Sequence, residues 1–313
     1  MSFSLNVKDD LIKVNNTSKL GDKLELESML RFGGEIIFSS PIKLSFTCNN
    51  MSVVRRFIKL CKEFYEIEYE ILSRKVNRFD NHTTFTCLIT SDSSKIVEDM
   101  NLIASQSDAR ASINDSEDLL VPYLRGAFLV RGSVNDPMSK NSHLEIISAS
   151  ENEILFIQKC MNAFELNARI SKRKNYLLAY IKSKESIGDF LYRLGATQSM
   201  SYYEDVIITK EIKANAKRTI NLDIANQDKT NIASKEQLEN IRYLKYNYPL
   251  ERLDSKLLMV MKVREDYPEH SLSQLLDVIH DEYDPNLTKS GLNHRFRKIK
   301  ELATELAQRK NNN

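Results

Sequence analysis

Two stretches of this chain pass through the same order of helix and strand signals, and that repetition restricts the fold more than any other feature. The first pass opens with a helical run over residues 18–32, apolar at Leu24, Leu26, Met29 and Leu30 and stopped by Gly33-Gly34. β-prone segments follow at 35–38 and 42–48, then a helix from Asn50 that places Val53, Val54, Phe57, Ile58 and Cys61 on one face. Strands at 67–72 and 83–90 and a helix at 93–103 complete it. The second pass begins with a helix at 119–130 ended by Gly132, then a turn at Val134-Asn135-Asp136-Pro137. A strand at 143–148, a helix at 151–164, strands at 168–172 and 176–182 and a helix at 185–194 follow, with a further helix at 198–212. Leu124 repeats Leu26 at an offset of 98 residues.

Each pass therefore reads α-ββ-α-ββ-α, although the second strand of the second pass's first pair is not clearly visible in the pattern. A repeat of this size implies two sub-domains about a pseudo-two-fold axis, not a solenoid. Chance alternation of helices and strands is the bland reading. The matched order and the matched glycine-stopped first helix argue against it. The fold class is thus α+β, with two αββαββα halves at 1–108 and 109–213. A polar, weakly patterned linker at 214–230 and a helical domain at 231–313 follow.

Composition narrows the chemistry by exclusion. A net charge of +2 on 313 residues does not by itself announce nucleic acid. Cys48, Cys61, Cys87 and Cys160 stand far apart, and the five histidines are not at ligand spacing, so no metal is expected and the thiols read as reduced. The N-terminus carries acids where a signal peptide needs an apolar core, and no apolar run approaches ~20 residues, which predicts a cytoplasmic chain with no membrane span. No phosphate-binding loop, dinucleotide fingerprint or nucleophile elbow occurs, and no cofactor is expected.

The C-terminal domain carries the functional signal. Ser271 is placed to cap a helix at 272–283 with Leu272, Leu275, Leu276 and Ile279 inward; Asp284-Pro285-Asn286-Leu287 makes a turn, and Thr288 caps a helix reaching about residue 306. There Leu292, Phe296, Ile299, Ala303 and Leu306 form one stripe. Ser290, His294, Arg297 and Lys298 project opposite it, with Asn293 and Lys300 at the edge and Arg295 flanking the core. Acids precede the turn; Lys289, Arg295, Arg297, Lys298 and Lys300 follow it. Two short helices and a tight turn, the second helix basic outward, is the layout of a helix-turn-helix. The alternative is a solvated basic helix in a small bundle.

At these residues the chain resembles the WhiA family. The resemblance is carried by residues 124–137 (LRGAFLVRGSVNDP), by 143–146 (HLEI) and by 289–298 (KSGLNHRFRK). It implies a body like that of the LAGLIDADG homing endonucleases, in which an acid ending each signature helix holds a divalent metal that activates water. The aligned positions here are Gly33 and Arg131, neither of which can bind magnesium, so the resemblance implies a non-catalytic body. Glu35 and Asp136 lie past the helix ends. Ser28, Gly126 and Ala127 are small and allow the signature helices to approach closely. Lys172, Arg173, Lys174, Lys182 and Lys184 read as solvated loop charges ahead of a DNA-gripping sheet.

Three functions compete. In the first, Asn293, His294 and Arg297 read base edges in duplex DNA, with Lys289, Ser290, Arg295, Lys298 and Lys300 on the backbone or beside it, in a nucleoid-associated regulator tied to transcription, sporulation or cell division. In the second, the chain is a cell-division or segregation scaffold with auxiliary DNA binding and a protein partner. An active nuclease is third. Since the repeat already supplies a pseudo-dimer, the chain is expected to be a monomer.

Overall fold

The computed structural model describes residues 2–76, 82–104 and 117–311, and the chain divides into two compact units, residues 1–211 and 212–313. The expected boundary between residues 108 and 109 lies outside the described residues.

In the first unit, helix α1 (Phe3–Leu11) is followed by α2 (Lys19–Gly33), strands β1 (Gly34–Ile37) and β2 (Lys43–Cys48), and α3 (Met51–Phe64). Strands β3 (Tyr69–Val76) and β4 (His82–Ile89) and helix α4 (Ser93–Asp99) close the first repeat. The second runs α5 (Leu120–Arg131), β5 (Gly132–Val134), β6 (Leu144–Ser148), α6 (Glu151–Ala163), β7 (Arg169–Arg173), β8 (Tyr176–Ile181) and α7 (Lys184–Leu194). Each repeat builds an antiparallel four-stranded sheet in the same order, β1-β2-β4-β3 and β5-β6-β8-β7. The strand missing from the sequence pattern is the first of its pair and not the second, β5, only 3 residues long. Too short to alternate visibly, it reads as part of the turn that follows.

Alternation fixes which face each sheet buries. Leu44, Phe46 and Cys48 of β2 point into one continuous core, where the Phe46 ring stacks on Phe57 of α3 at 4.0 Å. All four cysteines are buried and unbridged. Caps set the helix starts as their side chains suggest: Ser18, Asn50, Ser150 and Ser183 each accept a first-turn N–H. Helix α4 ends at Asp99, four residues before the expected end at 103. Helix α1, which periodicity did not single out, buries Phe3, Val7 and Leu11.

The repeats meet along α2 and α5. At Gly126 a Cβ would lie 2.5 Å from the Glu25 carbonyl and 3.0 Å from Ser28 Cβ, so the backbones approach as closely as the small residues imply. Gly34 and Gly132 both have extended backbone at their helix C-caps (φ −86° and −82°). Their glycine requirement is lack of room, not left-handed φ, since added Cβ atoms would meet the Leu30 carbonyl at 2.5 Å and the Phe128 ring at 2.2 Å.

A buried charge cluster crosses this seam. Glu25 of α2, with no exposed surface, takes both oxygens to the Arg56 guanidinium of α3, and Nη2 of that group donates at 2.8 Å. Arg125 of α5 lies 3.5 Å from the same carboxylate and donates to Asn16 Oδ1 at 2.7 Å and the Leu194 carbonyl at 3.0 Å. Asn16 returns a hydrogen bond to Glu25 at 2.8 Å. A buried carboxylate tolerates desolvation only when so fully engaged.

The second unit begins within one helix, α8 (Thr197–Asn247), 51 residues long. Residues 214–230, expected to be a linker, are helical. No glycine or proline interrupts 197–247, and the middle stretch is exposed on every side, so it never shows the 3.6-residue signature of a one-sided helix. Helices α9 (Ser255–Asp266), α10 (Leu272–Glu282) and α11 (Lys289–Asn311) pack with Ile241 and Leu244 of α8 into a separate small core. No described helix is long and apolar enough to cross a membrane.

Two substitutions test the seam. Gly126→Ala should destabilise the fold by about 2 kcal/mol through overpacking. Arg56→Met, which leaves Glu25 short of its main partner, should cost about 3 kcal/mol. Both are read as urea midpoints against wild type.

Candidate nucleic-acid interface

Helix α10 begins with a complete capping box. Ser271 Oγ accepts from Gln274 N at 3.3 Å while Gln274 Oε1 accepts from Ser271 N at 2.8 Å. The turn is pinned at three points. Asp284 Oδ1 accepts from Asn286 N at 3.2 Å, His280 Nε2 contacts the Leu287 carbonyl at 2.6 Å, and buried Leu287 plugs the angle between the helices. Thr288 Oγ1 then accepts from Gly291 N at 3.1 Å and starts α11. The sequence marks the caps and the turn; the part played by His280 is not legible there, because its acceptor is a carbonyl seven residues on.

Along α11 the apolar stripe is as the spacing predicts: Leu292, Phe296, Ile299 and Ala303 are buried and Leu306 is partly so. Lys289, Ser290, Asn293, His294, Arg297, Lys298 and Lys300 are exposed. The electrostatic roles within that set are unequal. Arg295 has only 15% of its side chain exposed and faces Asp284 across the turn at 3.5 Å, so it braces the motif. Lys300 is engaged by Glu236 of α8, and Lys289 Nζ donates to Ser273 Oγ at 2.8 Å. Arg297 has only a loose one-turn partner, Glu301 at 3.8 Å. Asn293, His294, Arg297 and Lys298 thus form the part of the helix most free to meet a ligand, two polar side chains beside two cations.

The end of the repeat seam offers different chemistry. Gly33 closes α2, and a Cβ there would lie 2.8 Å from both the Phe46 ring and Val130, so no side chain fits without displacement. Arg131 closes α5 and donates from Nε to the Phe32 carbonyl at 2.9 Å, a cation on a helix C-terminus. Lys8 of α1 lies near enough to feel it: burial lowers the Lys8 pKa, Cys48 opposes the shift, and the Arg131 charge adds to it. Glu35 is exposed on β1, and Asp136 is exposed with Oδ1 accepting from Met138 N at 2.7 Å. Among the described residues no group of three or more His, Cys, Asp or Glu side chains comes together to hold a metal. The residues at this point do not suit a divalent cation.

On the second sheet, Arg173 pairs with Glu145 at 3.2 Å, Lys182 lies over the Tyr180 ring at 5.1 Å and Lys184 pairs with Glu211 at 3.1 Å. Lys172 and Lys174 are exposed at the β7 end.

Three family models match the chain in succession: the WhiA N-terminal LAGLIDADG-like domain over residues 21–103, the WhiA LAGLIDADG-like domain over 120–213 and the WhiA C-terminal HTH domain over 216–303. A protein of Enterococcus faecalis named probable cell division protein WhiA is 33% identical over 313 residues, 99% of each chain. One of the same name from Exiguobacterium sibiricum is 34% identical over 98% of this chain and 97% of its own. The crystal structure of full-length DUF199/WhiA from Thermotoga maritima is 25% identical with a TM-score of 0.60, covering 98% of this chain and 99% of that one. The three models thus divide this chain into two LAGLIDADG-like halves followed by an HTH domain.

The partition within α11 is testable without DNA. Arg295→Ala should lower the stability of the C-terminal unit by about 1 kcal/mol, whereas Arg297→Ala and Lys298→Ala should stay within about 0.5 kcal/mol of wild type. Thermal melts of the three variants decide it.

Proposed function

The chain belongs to the WhiA family, and on that premise we propose that it is a non-catalytic DNA-binding regulator which reads duplex DNA with α11. The observation that carries this reading is the free face of α11, where Asn293, His294, Arg297 and Lys298 project together from a helix braced by its capped partner and turn. A helix of that width fits the major groove. Asn and Arg can bond bidentately to adenine and guanine edges, while lysines neutralise phosphate. Lys289 and Lys300 flank the reading residues, and Ser290 offers a hydroxyl at the first turn. Arg295 acts as a brace in this reading, a change from the phosphate contact expected of it.

The absence of nuclease activity is part of the proposal. Metal-assisted cleavage needs carboxylates converging on the ion. The positions aligned with those acids hold a glycine with no room for a side chain and an arginine occupied with a backbone carbonyl. A role in cell division is supported by the names of the relatives. Location at the nucleoid follows if the DNA reading holds, and a division or transcription partner remains compatible with it. The internal pseudo-dimer supports action as a monomer.

The test is fluorescence anisotropy of a labelled genomic duplex across a salt series with magnesium present, the DNA afterwards run on a gel. Wild type should bind with a steep salt slope and leave the DNA uncut. Asn293→Ala and Arg297→Ala should each cost about 1–3 kcal/mol in preference for the specific site and little in non-specific affinity. Binding indifferent to both substitutions would shift the proposal to the scaffold reading.

A further inference from the structure

Beside the helix-turn-helix the second unit forms a half-open pocket of about 260 Å³ that neither the motif nor the apolar stripe accounts for. Its wall brings together Lys229 and Gln237 of α8, Arg264 of α9, Ser271 and Ser273 at the start of α10, and Lys289 at the start of α11. None of the described residues lining it is acidic.

Arg264 makes this cavity unusual. The residue is 2% exposed, its Nη1 donates to the His270 carbonyl at 2.6 Å, and its guanidinium lies 5.5 Å from the Phe296 ring centre. Nε is buried with no hydrogen-bond partner. Among the described residues no carboxylate pairs with it, and burial pulls the guanidinium down to about 10. An unpaired buried cation is costly, which is why such groups are found beside anions. Gln237 presents a second unpartnered buried atom, Oε1, on the same wall, and an amide can turn its nitrogen to the same place.

The remaining walls supply donors. The capping box uses the N–H groups of Ser271 and Gln274, leaving those of Leu272 and Ser273 without intrahelical acceptors at the positive end of an 11-residue helix. The Ser271 and Ser273 hydroxyls stand beside them. Lys289 is already drawn to this point through Ser273 Oγ, and Lys229 is exposed at the rim. A buried arginine, two lysines, free amides and hydroxyls without a competing carboxylate match a tetrahedral oxyanion.

We propose that this cavity is a phosphate seat, holding one phosphate group between Arg264, Lys229, Lys289 and the start of α10. The phosphate comes either from a DNA backbone, which would make the seat an anchor for the reading helix, or from a free phosphate-bearing small molecule. Only the first source rests on the DNA-binding reading.

The test uses the full chain and inorganic phosphate as probe, with chloride at matched ionic strength as control. Arg264→Ala can fail to fold, so the main variant is Lys229→Gln with Lys289→Gln, both exposed positions. Phosphate should raise the wild-type melting temperature by a few degrees beyond chloride and the double variant by much less. If phosphate also displaces a labelled duplex from wild type more than chloride does, and the double variant shows a salt slope reduced by about 1–2, the seat holds backbone phosphate. If phosphate stabilises wild type selectively yet does not compete with DNA, the seat serves a free ligand. An equal response to phosphate and chloride, or an undiminished phosphate response in the double variant, overturns the proposal. Failure to bind any duplex would sink the regulator reading and leave the melting comparison intact.

Discussion

Glu25 enters the seam between the repeats with no exposed surface, and the first unit is arranged to accommodate that carboxylate. Arg56 comes from α3, Arg125 from the opposing signature helix, Asn16 from the loop before α2. The same arginines reach the carbonyls of Ile12 and Leu194, so one cluster ties together segments spread over most of the unit. Such a cluster adds little net stability over an apolar seam of equal volume, but any slip of α2 along α5 would strand a buried charge. It therefore fixes register. At the 98-residue offset Glu25 is matched by Tyr123, whose ring meets Phe156 of α6 edge to face at 5.0 Å. The Tyr123 hydroxyl also donates to buried Glu153 at 2.8 Å, so the second half meets its carboxylate with a phenol where the first meets Glu25 with guanidinium groups. Two repeats with the same sheet order are thereby made non-interchangeable.

That close approach also decides what the helix ends can do. Because α2 and α5 converge tightly, Gly33 lies against Phe46 and Val130, and Arg131 is near enough to cap the Phe32 carbonyl. Space that could hold acids and an ion is filled by packing and positive charge. The second unit makes the opposite use of charge. On α11 Arg297 has a loose carboxylate partner and Lys298 none among the described residues, and Arg264 lines its pocket without an acidic neighbour there, which is where binding energy for an anion is available.

Much of this was legible in the sequence, and the reasons for the exceptions are physical. Both signature helices, most of the sheet strands and the caps at Ser271 and Thr288 follow from periodicity and local hydrogen bonding. The offset that pairs Gly33 with Arg131 is visible without coordinates. Strand β5 escapes because 3 residues carry no alternation. The middle of α8 escapes because a helix exposed all round has no stripe to find. At the interface, exposure of Asn293, His294, Arg297 and Lys298 follows from helical projection. The engagement of Arg295 by Asp284, of Lys300 by Glu236 and of the His280 ring by Leu287 depends on partners brought in by folding. Arg264 is the extreme case, reading as an ordinary surface arginine of a charged helix end until three other helices close over it.

Amide hydrogen exchange on the full chain, with and without a bound genomic duplex and with magnesium present, tests the division of labour most directly. The account predicts added protection concentrated over residues 271–300, with the strands of both sheets exchanging as they do in the free protein. Protection over the sheets with none on α11 would contradict it, and would make the homing-endonuclease-like body the DNA-binding surface.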